Sequence, residues 1–173
     1  MFAAVDVDYS PEGTTAACVT FADWTATSPL RTLSLRASVG PAPYQPGEFY
    51  KRELPYLLDV LARIEASDAL RVVIVDGFVW LGPERPGLGA KLHEALAGRV
   101  AVVGVAKRGF HGAPALEVQR GASDKPVYVT AVGVDAHVAA AGVRSMHGEH
   151  RIPWLLKKAD LIARGIERGA FEY

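Results

Sequence analysis

Alternating hydrophobic and polar positions dominate the first forty residues and predict three β-strands. In the first of them, Val5 and Val7 fall on one face and Asp6 and Asp8 on the other. The three predicted strands cover residues 1–9, 14–21 and 30–39. Because the connections between them are short and rich in turn-forming residues, an antiparallel meander is expected.

Beyond these strands, segments with apolar residues at helical spacing alternate with short, continuous apolar runs that are typical of buried strands. The predicted helices cover residues 54–64, 89–96, 135–146 and 153–168, and the predicted strands 72–75, 100–105 and 127–132. A meander followed by helical crossovers predicts an α/β fold, with a mixed sheet of three antiparallel strands and then parallel strands, flanked by helices. No linker divides the chain, so a single domain over residues 1–173 is expected. The segment 108–125 is predicted to be a long loop.

Composition excludes several classes of protein. The chain has 173 residues, of which 50% are hydrophobic and 22% charged, as in ordinary globular domains. It lacks an apolar run of transmembrane length, and its first ten residues lack the basic region of a signal peptide. Cys18 is the one cysteine, which excludes an internal disulfide and a cysteine-rich zinc site. A cytoplasmic protein that does not bind membranes is expected.

Charge is balanced over the whole chain but not along it. Residues 1–98 carry 8 Lys and Arg against 12 Asp and Glu, and residues 99–173 carry 11 against 7. The acidic half could hold cations and the basic half could face polyanions, although an even spread over solvated surfaces explains the same numbers.

Three carboxylates are candidates for a Mg²⁺ site. Asp6 lies in the first strand, Asp76 ends the first apolar strand, and Glu53 lies at the start of the first helix. Oxygen ligands of this kind suit Mg²⁺. Glu53 could instead stabilise a helix N-terminus, and Asp76 before Gly77 could form a turn. Asp6 is harder to explain by a structural role, because a strand within a sheet rarely buries a lone carboxylate.

Other candidates are individually weaker. Lys107 follows an apolar strand, where it is either a solvated strand end or a positive charge directed at a phosphate. Asp160, two residues after Lys158, reads by itself as part of a charged helix face. Tyr44 lies in a loop stiffened by Pro46 and a neighbouring proline, and could stack on a base or simply pack on the surface. The chain contains no HExxH, no phosphate-binding Gly-Lys-Thr/Ser loop and no Gly-x-Ser-x-Gly.

Together these residues resemble the endonuclease V family of deoxyinosine 3′ endonucleases. The matching segments are VDVDY at 5–9, YQPGEFYKRE at 44–53, VIVDG at 73–77, GVAK at 104–107 and RIP at 151–153 before Asp160, with Pro83, Arg85 and Gly87 between them. Their order and spacing agree over about residues 3 to 165.

The resemblance implies a ribonuclease H-like fold and a Mg²⁺-dependent endonuclease, with Mn²⁺ as an alternative ion. Its substrate would be DNA, or RNA, containing inosine or a related altered base, and the protein would act as a monomer in nucleic acid repair. By position, the metal carboxylates are Asp6, Glu53 and Asp76, the catalytic lysine is Lys107, and Asp160 is a further group of the catalytic site. Tyr44 and Pro46 match the wedge that parts the strands, and the positions that line the pocket for the flipped base are Gly47, Phe49, Gly77 and Gly87.

The chain also departs from the family pattern. The family carries an additional segment before the first strand, and a histidine where this chain has Gly82. The family's small residues near the pocket are replaced by Val79 and Trp80, and a later glycine–histidine pair by Gly133 and Val134. We therefore expect slow cleavage, preferably supported by Mn²⁺, with a reduced dependence on the altered base. Two alternatives stay open, a non-catalytic relative that binds nucleic acid and a ribonuclease H-like nuclease with another substrate.

Overall fold

A seven-stranded mixed sheet lies between two pairs of helices. The computed structural model describes residues 1–11, 13–37, 50–64 and 69–167. Within these ranges the elements are, in chain order, β1 (Phe2–Ser10), β2 (Gly13–Phe21), β3 (Arg31–Ala37), α1 (Tyr50–Leu61), β4 (Val72–Asp76), β5 (Trp80–Gly82), β6 (Arg85–Pro86), α2 (Leu88–Ala95), β7 (Ala101–Ala106), β8 (Leu116–Val118), β9 (Val127–Val132), α3 (Ala136–Ser145) and α4 (Trp154–Ala163).

The strand order across the sheet is β3-β2-β1-β4-β7-β9-β8. The first three strands form the predicted antiparallel meander, and β4 and β7 add to β1 in parallel through the crossovers that contain α1 and α2. This confirms the predicted fold class. In contrast to β4 and β7, β9 pairs antiparallel with β7. The cause is the connection, because no helix lies between β7 and β9 and a parallel neighbour needs a long crossover.

Each face of the sheet is covered by one pair of helices. On one face, alternate residues of β1 such as Phe2 and Ala4 pack into a core with residues of α3 and α4. On the other face, Ala3, Val5 and Val7 pack into a core with residues of α1 and α2. The period of two along β1 thus explains why one strand contributes to both cores.

The sequence pattern misses the shortest elements. The hairpin of β5 and β6 and the three-residue β8 are too short to show an alternation, and β8 lies within the segment 108–125 that is predicted to be a loop. The last helix is shorter than predicted, since α4 ends at Ala163. Among the described residues, no helix has the length and hydrophobicity needed to cross a membrane.

Close backbone packing at Gly104 of β7 yields the first prediction. A Cβ atom at this position would lie 2.4 Å from the carbonyl oxygen of Gly77, 2.8 Å from Oγ1 of Thr130 and 2.9 Å from the backbone nitrogen of Val79. We expect Gly104→Ala to lower the free energy of unfolding by about 1–3 kcal/mol, because the rigid neighbours must move.

Urea denaturation provides the measurement, and Gly82→Ala is the matched control. The nearest atom to a Cβ at Gly82 is 3.7 Å away, an ordinary contact, so this change should alter stability by less than about 1 kcal/mol. Equal effects of the two substitutions would contradict the packing argument.

Candidate functional site

Parallel pairing brings Asp6 and Asp76 to the same side of the sheet. Val5 of β1 is in register with Val75 of β4, so the next residues, Asp6 and Asp76, are neighbours on adjacent parallel strands. Residues in parallel register point to the same face, here the one covered by α3 and α4. The sequence predicts that these two carboxylates converge. Side chains on opposite faces of the sheet would have contradicted that prediction.

Lys107 reaches the same face from the end of the next strand. Asp76 is in register with Val105 of β7, and Lys107 follows Val105 by two residues, so both point the same way. The Lys107 ammonium donates a hydrogen bond to Oδ2 of Asp76 over 2.7 Å. With side chains 45% and 42% exposed, this ion pair is open to solvent and to a ligand.

The two remaining candidates come from helices. Asp160 lies on α4, is only 7% exposed, and pairs with Lys157 and with Nε of Arg164, the latter over 2.7 Å. Glu53 lies in the first turn of α1, which packs against the opposite face of the sheet. Asp160 is far in sequence from both Asp6 and Glu53, although all three line the same cleft. Only the fold brings these residues together.

All five candidate catalytic residues line one polar cleft of about 300 Å³ at this edge of the sheet. The lining residues are Asp6, Val7, Asp8, Glu53, Asp76, Lys107, Asp160 and Arg164. Sequence reasoning did not select Asp8 or Arg164 for the site. The signals were present, because Asp8 shares the face of Asp6 on β1 and Arg164 follows Asp160 by one helical turn.

Burial and mutual repulsion disfavour the charges of two of the acids. Burial, and then the negative charge of Asp76, raise the pKa of Asp6 to about 7 despite a hydrogen bond donated by the Val7 backbone. Burial, and then the charges of Asp6 and Asp76, raise the pKa of Glu53 to about 8. A positive charge placed among these groups would favour their ionised forms.

The other charged groups of the cleft are compensated. Burial opposes the charge of Asp160, but the hydrogen bond from Lys157 and the charge of Arg164 outweigh it and lower the pKa of Asp160. Burial likewise opposes the charge of Lys107, yet its hydrogen bond with Asp76 raises the pKa of Lys107. The cleft therefore combines two poorly compensated carboxyl groups, Asp6 and Glu53, with two carboxylates that are paired with cations, Asp76 and Asp160.

The donor chemistry suits a hard divalent cation, since the cleft offers carboxylate oxygens without sulfur or imidazole. As the side chains stand, however, no three His, Cys, Asp or Glu residues in the described ranges are arranged to hold an ion together. The predicted sharing of one ion by Asp6, Glu53 and Asp76 thus requires side chains to move. The hydrogen bond from Lys107 gives one physical reason, because it occupies Oδ2 of Asp76.

The predicted base pocket is only partly within the described residues. Tyr44, Pro46, Gly47 and Phe49 lie outside them. Gly77 follows Asp76 directly and has a φ of +145°, a conformation that favours glycine. A Cβ atom at Gly87 would overlap the carbonyl oxygen of Phe78, so the glycine allows the segment of Phe78 to approach the start of α2.

Val79 and Trp80 do not narrow the space beside Gly77, contrary to the sequence-based expectation. Val79 is fully buried and packs against α2 near Gly89. Trp80 is half-buried, and its indole Nε1–H donates to the Ala131 carbonyl over 3.2 Å. Val79 therefore belongs to the core and Trp80 packs against it, so the two side chains give no reason to expect a weaker dependence on the altered base.

Comparisons with known proteins agree with this arrangement. The family model described as Endonuclease V matches residues 1–152. The chain belongs to the endonuclease V family. It is thereby a member of a family of metal-dependent nucleases. No curated protein sequence matches the chain.

Solved structures of the family share the fold. The endonuclease V of Streptomyces avermitilis is 27% identical, with a TM-score of 0.74 over 95% of this chain and 80% of that one. The Ciona intestinalis enzyme, in complex with a 24-mer DNA containing an inosine followed by a ribo-adenosine, is 19% identical, with a TM-score of 0.81 over 95% and 84%. Human endonuclease V is 21% identical, with a TM-score of 0.73 over 95% and 83%. The ribonuclease H-like fold class predicted from the sequence is thus confirmed.

The uncompensated acids predict a pH-dependent stability. The unfolded chain releases the protons of Asp6 and Glu53 near pH 4, whereas the folded protein holds them to about pH 7 and 8. Between these values the folded state binds more protons, so in EDTA the free energy of unfolding should fall as pH rises from about 5 to 8. Glu53→Gln should make this fall shallower and raise stability at pH 8.

Urea denaturation across that pH range measures the effect. Asp59→Asn is the matched control, because Asp59 lies on the same helix but is exposed to solvent. The control should keep the slope of the unmodified protein. An unchanged slope in Glu53→Gln would refute the electrostatic description of the cleft.

Proposed function

We propose that this chain is a divalent-metal-dependent endonuclease that cuts a nucleic acid strand near inosine or a related altered base. The observation that carries the proposal is the cleft in which Asp6, Glu53, Asp76, Lys107 and Asp160 meet. Their elements are widely separated along the chain, and the polar residues converge where the parallel strands end. Such edges are common positions for active sites in α/β proteins.

Asp6, Glu53 and Asp76 would hold Mg²⁺ or Mn²⁺ after Asp76 separates from Lys107. When bound, the ion supplies Lewis-acid stabilisation of the phosphate and activation of water for attack. The poorly compensated charges of Asp6 and Glu53 support this assignment, because a cation placed beside them would stabilise their ionised forms.

Lys107 and Asp160 would act on the phosphate and on water. The Lys107 ammonium is half-exposed in the cleft and would stabilise the negative charge that develops on the phosphate in the transition state. Asp160 is fixed by Lys157 and Arg164 and stays ionised, so its carboxylate can orient a water molecule by accepting a hydrogen bond. Neither role requires a histidine at the position of Gly82.

Inosine as the altered base is supported by the family and by the inosine-containing DNA in the Ciona structure. Gly77, with an open space around it, would let main-chain groups read the edge of a flipped base. DNA repair in the cytoplasm by a monomeric enzyme is the setting that we propose for this activity.

A cleavage assay tests the proposal with inosine- and guanine-containing oligonucleotides, as DNA and as RNA, in Mg²⁺, Mn²⁺ and EDTA. Asp76→Asn should lower turnover by at least about 10²–10³-fold while leaving binding largely unchanged, because the lost group acts mainly on the transition state. Asp124→Asn, at an exposed position remote in sequence from the cleft residues, should behave like the unmodified protein.

Two results would overturn the proposal in different ways. Binding without metal-dependent cleavage would indicate a non-catalytic relative. Equal kcat/KM for inosine and guanine would indicate a nuclease with another substrate.

Tyr44 is proposed as the wedge on sequence grounds alone. Tyr44→Ala should weaken binding to an inosine-containing duplex by about 1–3 kcal/mol, the range of base–aromatic stacking, and Tyr44→Phe should retain most of the affinity. Fluorescence anisotropy in EDTA measures this without cleavage. Unchanged binding in the alanine variant would exclude the wedge role.

A further inference from the structure

A second cleft of about 980 Å³ opens beside the carboxylate cleft and is lined mainly by apolar groups. The two share four residues as a common wall, Asp6, Asp76, Lys107 and Asp160. The rest of the lining comes from three strands of the sheet, from the segment 147–152 and from the start of α4, namely Ala4, Val5, Ile74, Val105, His147, Gly148, Glu149, His150, Arg151, Ile152, Trp154, Leu156 and Lys157.

A buried arginine holds the wall formed by the segment 147–152. Arg120 is 5% exposed, and its guanidinium donates to the carbonyl oxygens of Met146, of Gly148 over 3.3 Å and of His150 over 2.8 Å. In the described part of the chain no carboxylate pairs with it. The charge of Arg120 is therefore used to fix a loop backbone, which gives the cleft a preformed wall.

The same wall is tied to the proposed catalytic lysine. Arg151 donates from Nη2 to the carbonyl oxygen of Lys107 over 2.6 Å. The Lys107 side chain in turn pairs with Asp76. A ligand that enters the apolar cleft therefore lies directly beside the group proposed to contact the scissile phosphate.

An exposed tryptophan lines this cleft at the first residue of α4. Trp154 is 37% exposed, and its backbone N–H donates to the His147 carbonyl over 2.9 Å, which fixes its position. Nζ of Lys158 lies 5.5 Å from the centre of the indole ring. Large aromatic surfaces that remain exposed next to cations are typical of sites that stack nucleic acid bases.

Charge and shape together favour a nucleotide as the occupant. The interior is apolar and bordered by an aromatic ring, which suits a planar base. Of the cations in the lining, Lys107 and Lys157 pair with Asp76 and Asp160, whereas Arg151 pairs with no carboxylate in the described part of the chain and suits phosphate. Because the clefts share a wall, a strand with one phosphate beside Lys107 has its neighbouring nucleotide at the second cleft.

We propose that this second cleft binds an unpaired base of the nucleotide next to the cleaved phosphodiester, stacked on Trp154. This inference rests on the proposed function, since it assumes a strand in the carboxylate cleft. It makes the segment 147–152 and the start of α4 a contact surface for the strand in addition to the carboxylate cleft.

Anisotropy titrations with single-stranded oligonucleotides in EDTA test the inference without requiring cleavage. Trp154→Ala should weaken binding by about 5- to 150-fold, and Trp154→Phe, which keeps an aromatic ring, by much less. Trp24→Phe is the matched control, because Trp24 packs against α3 and Phe2 in the core rather than lining the cleft. It should bind like the unmodified protein.

A series of oligonucleotides with one abasic nucleotide, moved along the strand, locates the stacked base. At one position next to the cleavage site the loss of the base should remove the difference between Trp154→Ala and the unmodified protein. Equal affinities of these two proteins for every oligonucleotide would overturn the inference, as would an absence of binding to single strands. A fully paired duplex should show a smaller effect of Trp154→Ala than a single strand.

Cleavage separates the failure of this inference from that of the proposed function. Metal-dependent cleavage at inosine with no effect of Trp154→Ala on binding would refute the second cleft and leave the endonuclease intact. The opposite result is an unmodified protein that cleaves no substrate, together with a loss of single-strand affinity in Trp154→Ala. It would support base binding in the second cleft and refute the nuclease.

Discussion

The parallel alignment of β1, β4 and β7 is the constraint on which the candidate site depends. Parallel neighbours end at the same edge, and residues in register share a face, so Asp6, Asp76 and Lys107 meet without any local motif that connects them. If the pairing of β1 with β4 shifted by one residue, the side chain of one of the two aspartates would point into the core formed with α1 and α2. The two apolar cores resist such a shift, because it would move Val73 and Val75 into the other core, where they would not fit the packing that Val72 and Ile74 make there.

The electrostatic consequence of this alignment is a set of charges that the fold does not fully compensate. Asp76 has Lys107 and Asp160 has Lys157 and Arg164, but Asp6 and Glu53 mainly repel one another and Asp76. Buried carboxyl groups with raised pKa values are costly for stability and are more common at functional sites than in structural cores. The hydrogen bond of Asp76 with Lys107 leaves Asp76 able to exchange partners, because both side chains are partly exposed to solvent.

Much of this arrangement could be predicted from the sequence, and the reasons for the failures are physical. Long elements with a clear period, such as β1 and α3, were placed within one or two residues, and the aspartate before α3 caps the helix through its side chain. Short strands such as β8 carry too few residues to reveal a period. The antiparallel direction of β9 follows from a connection without a helix, and the predicted loop 108–125 already contained that signal, which the expectation of parallel strands did not use. The expectation for Val79 was also wrong. A larger residue at this position predicts a narrower base pocket, but the side chain of Val79 is buried in the core.

The contrast between the two clefts explains how one edge of a sheet could both cut and hold a strand. The smaller cleft is polar and contains the groups suited to phosphate chemistry, while the larger one is apolar and is bounded by a wall that a buried arginine stabilises. Chemistry on a phosphate requires charged groups placed where negative charge develops, whereas stacking on a base requires an aromatic surface held in position. Arg120 supplies that rigidity at a distance from the carboxylates, so the wall can be stiff while Asp76 and Lys107 remain free to separate. The hydrogen bond from Arg151 to the Lys107 carbonyl joins the two regions and holds the main chain of the lysine, while its ammonium pairs with Asp76.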